Sequence, residues 1–127
     1  MTPTFATSGS CFRACLATIL DVPLDTVPRF RENAVDPYAV EVAARTWLRE
    51  AHRLLLITSR FEGTRAAPGT QCVAVGVSPR DEAKMHAVVG RIDETGRHVK
   101  MVHDPHPDQT GIASSPVYLH FIVRLGD

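Results

Sequence analysis

The chain lacks an excess of charge of either sign, because its 14 Lys and Arg residues are matched by 14 Asp and Glu residues. No basic block stands out, so a nucleic-acid-binding surface is not expected. Long apolar runs are missing too, since no stretch approaches the ~18 residues that a transmembrane helix needs. We therefore expect no nucleic-acid partner and no membrane partner for this chain.

Cysteine is also scarce, with three residues, an odd number. The first residues show no basic segment followed by an apolar one, so the sequence predicts no secretory signal. Without export, reduced thiols are expected instead of a disulfide framework, and the cytoplasm is the expected compartment. No segment points to a cofactor, and none is predicted.

The sequence does contain enough apolar residues for a core, since 44% of its 127 residues are hydrophobic. This size suits a single domain, residues 1–127. Two helical patterns come first and strand-like segments follow, which predicts an α+β fold with N-terminal helices packed on an antiparallel β-sheet. The predicted helices are residues 11–20 and 37–51, the second with Asp36 as its N-cap. The predicted strands are residues 53–58, 71–77, 85–92, 98–103 and 117–125.

Cys11 is the most informative residue, because it follows Ser8-Gly9-Ser10 and begins the first predicted helix. A thiol at a helix N-terminus lies at the positive end of the helix dipole, which favours the thiolate. Downstream, His86 begins a predicted strand and Asp104 stands before Pro105 at the end of another. A cysteine, a histidine and an aspartate in this arrangement predict an activated sulfur nucleophile.

In this hypothesis Cys11 is the nucleophile, His86 exchanges protons with the thiol and the leaving group, and Asp104 orients the imidazole. The backbone N–H of Cys11 would supply one oxyanion donor. Each residue also has a structural interpretation: Cys11 as a small core residue, His86 as a buried core histidine, and Asp104 as a turn former. Cys15 and Cys72 are predicted to be core residues.

The hairpin between the third and fourth predicted strands provides a geometric test of the last two residues. A three-residue loop, Glu94–Gly96, pairs Asp93 with Arg97 and puts its glycine in the left-handed conformation that such loops need. Counting back along both strands then places His86 opposite Asp104. Directly opposite residues share one sheet face, with Cβ atoms roughly 4.5–5.5 Å apart. A two-residue loop would shift the register and separate the pair.

At these residues the chain resembles the papain-like cysteine peptidase superfamily, in particular small bacterial and phage-type domains related to the peptidase domains that trim bacteriocin leaders. The matching segments are Gly9-Ser10-Cys11-Phe12-Arg13-Ala14-Cys15-Leu16-Ala17, His86-Ala87-Val88-Val89 and Asp104-Pro105. The resemblance implies an antiparallel sheet packed on the helix that carries the cysteine. It also implies a Cys11–His86–Asp104 triad that attacks a peptide or protein substrate through a thioester intermediate.

One position departs from the pattern of this superfamily, which usually carries a Gln shortly before the Cys as a second oxyanion donor. Here the matching position is Phe5, and no Gln occurs before Gln71. The departure favours an alternative function, a catalytically weak or inactive papain-like fold that acts as a binding or immunity module. The residues that remain as substitutes for the Gln are Thr4, Thr7, Ser8, Ser10 and Gln71.

Two further hypotheses concern the surroundings of this site. His103 and His106, together with Asp108 or His98, have side chains that bind metals, so a metal-binding domain is a third hypothesis, although the preferred interpretation has no metal. The polar segment 80–84 is predicted to be an exposed loop, and its position just before the candidate base would suit a mobile lid.

Overall fold

The computed structural model of the chain describes residues 10–30, 37–80, 85–106, 108–113 and 115–125. The elements in chain order are helix α1 (Ser10–Leu20), a 3-10 turn (Leu24–Thr26), helix α2 (Pro37–His52) and strands β1 (Leu54–Arg60), β2 (Gln71–Val77), β3 (Met85–Ile92), β4 (Val99–His103) and β5 (Tyr118–Arg124). The predicted helices and strands are confirmed, with ends that differ by at most two residues. Asp36, the predicted N-cap, lies outside the described residues.

The strands form one antiparallel sheet with the order β1-β5-β2-β3-β4. Helix α1 packs against β3 and β2, and helix α2 packs against β1. The α+β class and the packing of helices on an antiparallel sheet are therefore confirmed. Within the described ranges, neither helix is long and apolar enough to cross a membrane.

Helix α1 buries one apolar face on the sheet and carries Cys11 on its first turn. Cys15 and Leu16 are completely buried, as their helical spacing predicts. The helix ends because Asp21 takes the left-handed conformation, with φ 57°. Two N–H groups beyond the helix then bond back to carbonyls of its last turn, an arrangement that satisfies groups a helix end leaves unpaired.

A buried arginine fastens this helix to the loop that follows it. Arg13 is almost fully buried, and its guanidinium donates to the carbonyl oxygens of Val27 at 2.6 Å and Leu24 at 3.0 Å. Hydrogen bonds from a charged donor stabilise more than neutral ones. Since Arg13 lies two residues after Cys11, the clamp also restrains the beginning of the helix.

The sheet has two buried faces, because side chains alternate along each strand. The face under the helices, called the helix face here, carries the core residues Val73, Val75, Ala87 and Val89. The opposite face carries Cys72, Ala74, Val88, Ile92 and Leu119. This division decides on which side of the sheet each candidate group lies.

The predicted turn between β3 and β4 is wrong by one residue. The Asp93 N–H donates to the His98 carbonyl at 2.9 Å, so the loop is residues 94–97 and Arg97 does not pair with Asp93. The Asp93 carboxylate accepts the Thr95 N–H at 3.0 Å, and this local bond forms an Asx turn that takes up the extra residue. The glycine at position 96 has φ 75° and is left-handed, as predicted.

A bulge in β4 then shifts the register a second time. Gly90 pairs with Met101, whereas Val89 pairs with His103, so Val102 is the extra residue. Each shift of one residue exchanges the two faces of a strand. Two such shifts cancel, and the end of β4 returns to the face that the predicted register assigned to it.

Candidate active site

Asp104 follows β4 directly, and its carboxylate is completely buried. Its Oδ1 atom lies 2.6 Å from His86 Nε2 and accepts the His106 N–H at 2.9 Å. Its Oδ2 atom accepts the Gly111 N–H at 2.7 Å. Two backbone donors therefore hold the carboxylate in place against the imidazole of His86, which is itself 5% exposed.

These contacts keep Asp104 ionised. Burial works to raise the pKa of this carboxyl, but the hydrogen bonds from the His106 N–H, from His86 and from the Gly111 N–H together outweigh it, and the pKa is lowered from its ordinary value. Asp104 is therefore a carboxylate at neutral pH. A carboxylate in this position orients the imidazole beside it and stabilises an imidazolium.

His86 and Asp104 meet by a route that the predicted register did not contain. Carrying the β3–β4 register one residue past His103 brings Asp104 opposite Val88, which shares its sheet face with His86. The two residues are thus diagonal neighbours instead of a directly opposite pair, roughly 7–8 Å apart along the backbone and within reach of a histidine side chain. The two groups do meet, although the predicted pairing is wrong.

Cys11 is 5% exposed and belongs to the core cluster under the helices. One turn further along α1, the pKa of Cys15 is affected by Cys11 and by Asp104, the first and last residues of the predicted triad. Burial, then the charge of Cys11, then the charge of Asp104 raise the pKa of Cys15 well above its ordinary value. Burial raises the pKa of Cys72 to about 11. Cys15 and Cys72 are core thiols, as predicted, and none of the three cysteines is in a disulfide.

The β2–β3 register places His86 on the sheet face away from α1. His86 shares that face with Val88, whereas Ala87 packs on the helix face in the same core cluster as Cys11. His86 is the second residue of β3, next to Met85 at the end of the strand.

Tyr118 lies at that same end of the sheet. It begins β5 and pairs with Val75, the ladder position next to Gly76, which pairs with His86. Tyr118 and His86 therefore belong to neighbouring rows, while Tyr118 packs against the core cluster that contains Cys11. Burial, then the charge of Glu41, then the charge of Cys11 raise the pKa of Tyr118.

Sequence reasoning missed a second buried imidazole, His120, on the helix face. Its Nδ1 atom lies 2.8 Å from Thr58 Oγ1 and 3.7 Å from Glu41 Oε1, and the Thr58 hydroxyl donates to the same Glu41 oxygen. Burial, against the opposing charge of Glu41, lowers the pKa of His120 to about 4. The rings of Phe12 and Tyr118 pack on it, with centroid distances of 5.1 and 5.3 Å.

A signal for His120 exists in the sequence. Tyr118 and Ile122 stand two residues away on either side, so the period of a strand predicts that His120 shares their inward face. A polar group at an inward position needs a hydrogen-bond partner. That partner, Thr58, is 62 residues away along the chain, and no local pattern indicates it.

Of the candidates for a second oxyanion donor, Gln71 lies away from His86. Gln71 begins β2 and pairs with Arg91, and it lies roughly 17 Å along the strand from Gly76, the partner of His86. Ser10 is the first residue of α1. The remaining candidates, Thr4, Thr7 and Ser8, lie outside the described residues.

The surroundings of Asp104 contain further polar contacts. His106 Nδ1 lies 3.0 Å from Asp108 Oδ1, and the His106 ring packs edge-on against His86 at 6.3 Å. Arg80, the first residue of the predicted lid, bonds to the same Asp108 at 2.9 Å, while residues 81–84 lie outside the described ranges. In the part of the chain that the structure describes, no group of three or more His, Cys, Asp or Glu side chains is arranged to hold a metal ion.

Comparison of the chain with protein family models, with curated proteins and with solved structures finds no match. The chemistry of the site is accordingly inferred from the residues themselves.

Proposed function

We propose that the chain is a cysteine-dependent hydrolase or acyltransferase that acts on a peptide or related amide bond through a thioester on Cys11. The observation that carries the proposal is the buried His86–Asp104 contact at 2.6 Å. An imidazole held by an ionised carboxylate is the group that accepts the proton of an attacking thiol. The papain-like superfamily, which the sequence resembles, uses the same residue types, and a peptide or protein is the proposed substrate.

In the proposed reaction the Cys11 sulfur attacks the acyl carbon and the thiol proton passes to His86. The tetrahedral intermediate expels the amine, which takes the proton back from the imidazolium, and an acyl thioester remains on Cys11. Water then attacks the thioester, with His86 again as base, and releases the acid. An amine in place of water gives acyl transfer. Asp104 stays ionised throughout and stabilises the imidazolium.

The three thiols have different surroundings, which makes the proposal measurable. Burial keeps the pKa of both Cys15 and Cys72 high, so both remain thiols and react slowly with electrophiles. Cys11 lies on the first turn of α1, where the helix dipole favours a thiolate. Selective modification of Cys11 is therefore the expected signature of the proposed nucleophile.

The test is iodoacetamide labelling across pH 5–9, read by mass spectrometry at each cysteine. We expect fast labelling of Cys11 alone near neutral pH, below the ordinary thiol pKa of about 8.5. His86→Ala should slow this labelling by about 10²-fold, because the imidazole no longer takes the proton. His120→Gln is the matched control, since it alters the other buried imidazole, and its labelling rate should stay close to that of the wild type.

Two outcomes would contradict the proposal. The first is slow labelling of Cys11 at every pH, which would make it a structural thiol. The second is labelling that does not change in His86→Ala, which would separate the thiol from the imidazole and leave Asp104 as a turn residue. If His120→Gln slowed the labelling of Cys11 and His86→Ala did not, the base would be His120, on the helix face.

A binding or immunity module is the alternative function, and two observations favour it. The position at which the superfamily carries its Gln is Phe5. An apolar cavity of about 260 Å³ also lies on the sheet face of His86, with Phe61, Val88, Met101 and Ile112 among its lining residues. Slow labelling of Cys11 combined with a fully folded protein would favour this function over catalysis.

A further inference from the structure

The proposed reaction needs hydrogen-bond donors for the oxyanion that forms when Cys11 attacks a carbonyl. The proposed function assigns one of these roles to the N–H of Cys11, on the first turn of α1. A second donor has to lie on the helix face, near Cys11, and has to keep its hydrogen at neutral pH. Tyr118 meets these three conditions.

The ring of Tyr118 lies on the helix face, beside the core cluster that contains Cys11. Tyr118 is partly buried and packs against that cluster. It pairs with Val75, a member of the same cluster, and directly opposite residues share a sheet face. The partial exposure matters, because a donor to a substrate oxygen has to be reachable from outside.

One imidazole contacts both Tyr118 and the residue that follows the nucleophile. The His120 ring packs edge-on against the Tyr118 ring at 5.3 Å and lies tilted against the Phe12 ring at 5.1 Å. His120 is itself held by the Thr58 hydroxyl at 2.8 Å and is 4% exposed. His120 therefore links the Tyr118 ring to Phe12, the residue that follows Cys11 on the first turn of α1.

The electrostatic contacts of Tyr118 keep its hydroxyl protonated. Burial, then the charge of Glu41, then the charge of Cys11 raise the pKa of the phenol above its ordinary value. The group is therefore a hydrogen-bond donor throughout the neutral range and is not a base. The effect of Cys11 on Tyr118 also agrees with the shared cluster, because such effects fade with distance.

We propose that the Tyr118 hydroxyl donates a hydrogen bond to the oxyanion formed on the acyl group that Cys11 attacks. The inference rests on the proposed function, since it assigns a further catalytic residue to the same reaction. In this proposal the Tyr118 hydroxyl takes the place of the Gln that the papain-like superfamily carries before its cysteine.

An activated ester tests this role without a known substrate. When the Cys11 thiolate attacks p-nitrophenyl acetate, the carbon–sulfur bond forms and the carbonyl π pair moves onto oxygen, where the Tyr118 O–H donates to it. The intermediate then collapses, the bond to the aryl oxygen breaks, and p-nitrophenolate leaves with the electron pair. Alkylation by iodoacetamide displaces iodide at a saturated carbon and forms no oxyanion, so Tyr118 has no part in it.

The experiment measures both rates at Cys11 for the wild type, Tyr118→Phe and Tyr38→Phe. Tyr118→Phe removes only the hydroxyl and keeps the ring that packs on His120. We expect its acetylation rate to fall by about 10²-fold, while its alkylation rate stays near that of the wild type. Tyr38→Phe changes the only other tyrosine, and both of its rates should match the wild type. Thermal unfolding of each variant verifies that the fold is intact.

The outcomes separate this inference from the function on which it rests. Equal acetylation by Tyr118→Phe and the wild type would overturn the role of Tyr118 and leave Cys11 as the nucleophile. An equal fall in acetylation and alkylation would also overturn it, because Tyr118 would then act on the thiolate and not on the oxyanion. A wild type that does not acetylate at Cys11 would overturn both proposals.

Discussion

Two imidazoles are buried in this sheet, and they differ in their partners. His86 lies 2.6 Å from a carboxylate oxygen of Asp104, whereas the direct partner of His120 is the Thr58 hydroxyl at 2.8 Å, with the Glu41 carboxylate at 3.7 Å. The two residues are 5% and 4% exposed, so burial does not distinguish them. The direct contact of His86 with a carboxylate is what distinguishes the two residues.

The two rings also differ in the charges around them. At His120, burial outweighs the charge of Glu41, and the pKa falls to about 4, so the ring is neutral at pH 7. At Asp104, hydrogen bonds outweigh burial, and an ionised carboxylate touches His86. The proposed function therefore assigns proton transfer to His86 and gives His120 a place in the core.

The largest expected effect comes from changing each carboxylate to an amide. Asp104→Asn should lower the acetylation rate of Cys11 by p-nitrophenyl acetate by about 10²-fold or more, because an amide does not stabilise the imidazolium of His86. Glu41→Gln is the matched change beside His120 and should leave the rate near that of the wild type. Stopped-flow absorbance of released p-nitrophenolate measures both rates. If Glu41→Gln lowered the acetylation rate more than Asp104→Asn, proton transfer would be assigned to His120 instead of His86.

The next effect is on stability, measured by urea unfolding at pH 7. Asp104→Ala should lower the free energy of unfolding by about 3–5 kcal/mol, because it leaves buried donors, His86 among them, without their carboxylate. Thr58→Val should cost about 1–2 kcal/mol, since it removes the hydrogen bond with His120 and the exposed one to the Glu41 carboxylate. If the two variants were equally stable, the carboxylate of Asp104 would not hold the structure around it as the contacts indicate.

The last comparison distinguishes the two regions by pH. The pKa of His120 falls from its ordinary 6.5 to about 4 on folding, so the unfolded state binds more protons between these values. The contribution of His120 to the free energy of unfolding is therefore fully present above pH 6.5. It is lost as the pH falls towards 4, and the loss is about 3 kcal/mol in all. The pKa of Asp104 is lowered on folding, so its contribution is lost only below the ordinary value of 3.8. Urea unfolding at pH 7, 5.5 and 4.5 measures the difference.

The control for this pH effect is His120→Gln, which removes the titrating group. Its free energy of unfolding should change less than that of the wild type between pH 6.5 and pH 4.5. A slope that persists unchanged in the variant would assign the pH dependence to another group and would remove the distinction between the two imidazoles.

The sequence predicted the elements of this fold well, because each depends on neighbours in the chain. Helix α1 follows from the helical spacing of its apolar residues, Phe12, Cys15, Leu16, Ile19 and Leu20, which face the same core. Strand β2 was predicted with its observed bounds, Gln71–Val77, since an apolar run ended by Ser78-Pro79 has few other structures available. The contact between His86 and Asp104 was also expected from the sequence.

The details between elements could not be predicted in the same way. The register of the β3–β4 hairpin depends on the Asp93 side chain, which bonds to the Thr95 N–H and lengthens the turn, and on a bulge at Val102. The hydrogen bond and the bulge each change the free energy of folding only slightly. Local propensities therefore do not predict which turn or which register forms. The two errors cancelled for Asp104 only because side chains alternate with a period of two.

By itself, the sequence determined the α+β class and the order of helices and strands, because apolar periodicity and chain order are properties of neighbouring residues. The three residues of the triad stay a prediction from residue type and order. Only the tertiary structure decided that His86 lies on one face of β3 while Cys11 packs on the other, and that His120 and Tyr118 share the face of Cys11. Those relations depend on which strands pair, and strand order in a sheet follows from burial of both faces across the whole chain.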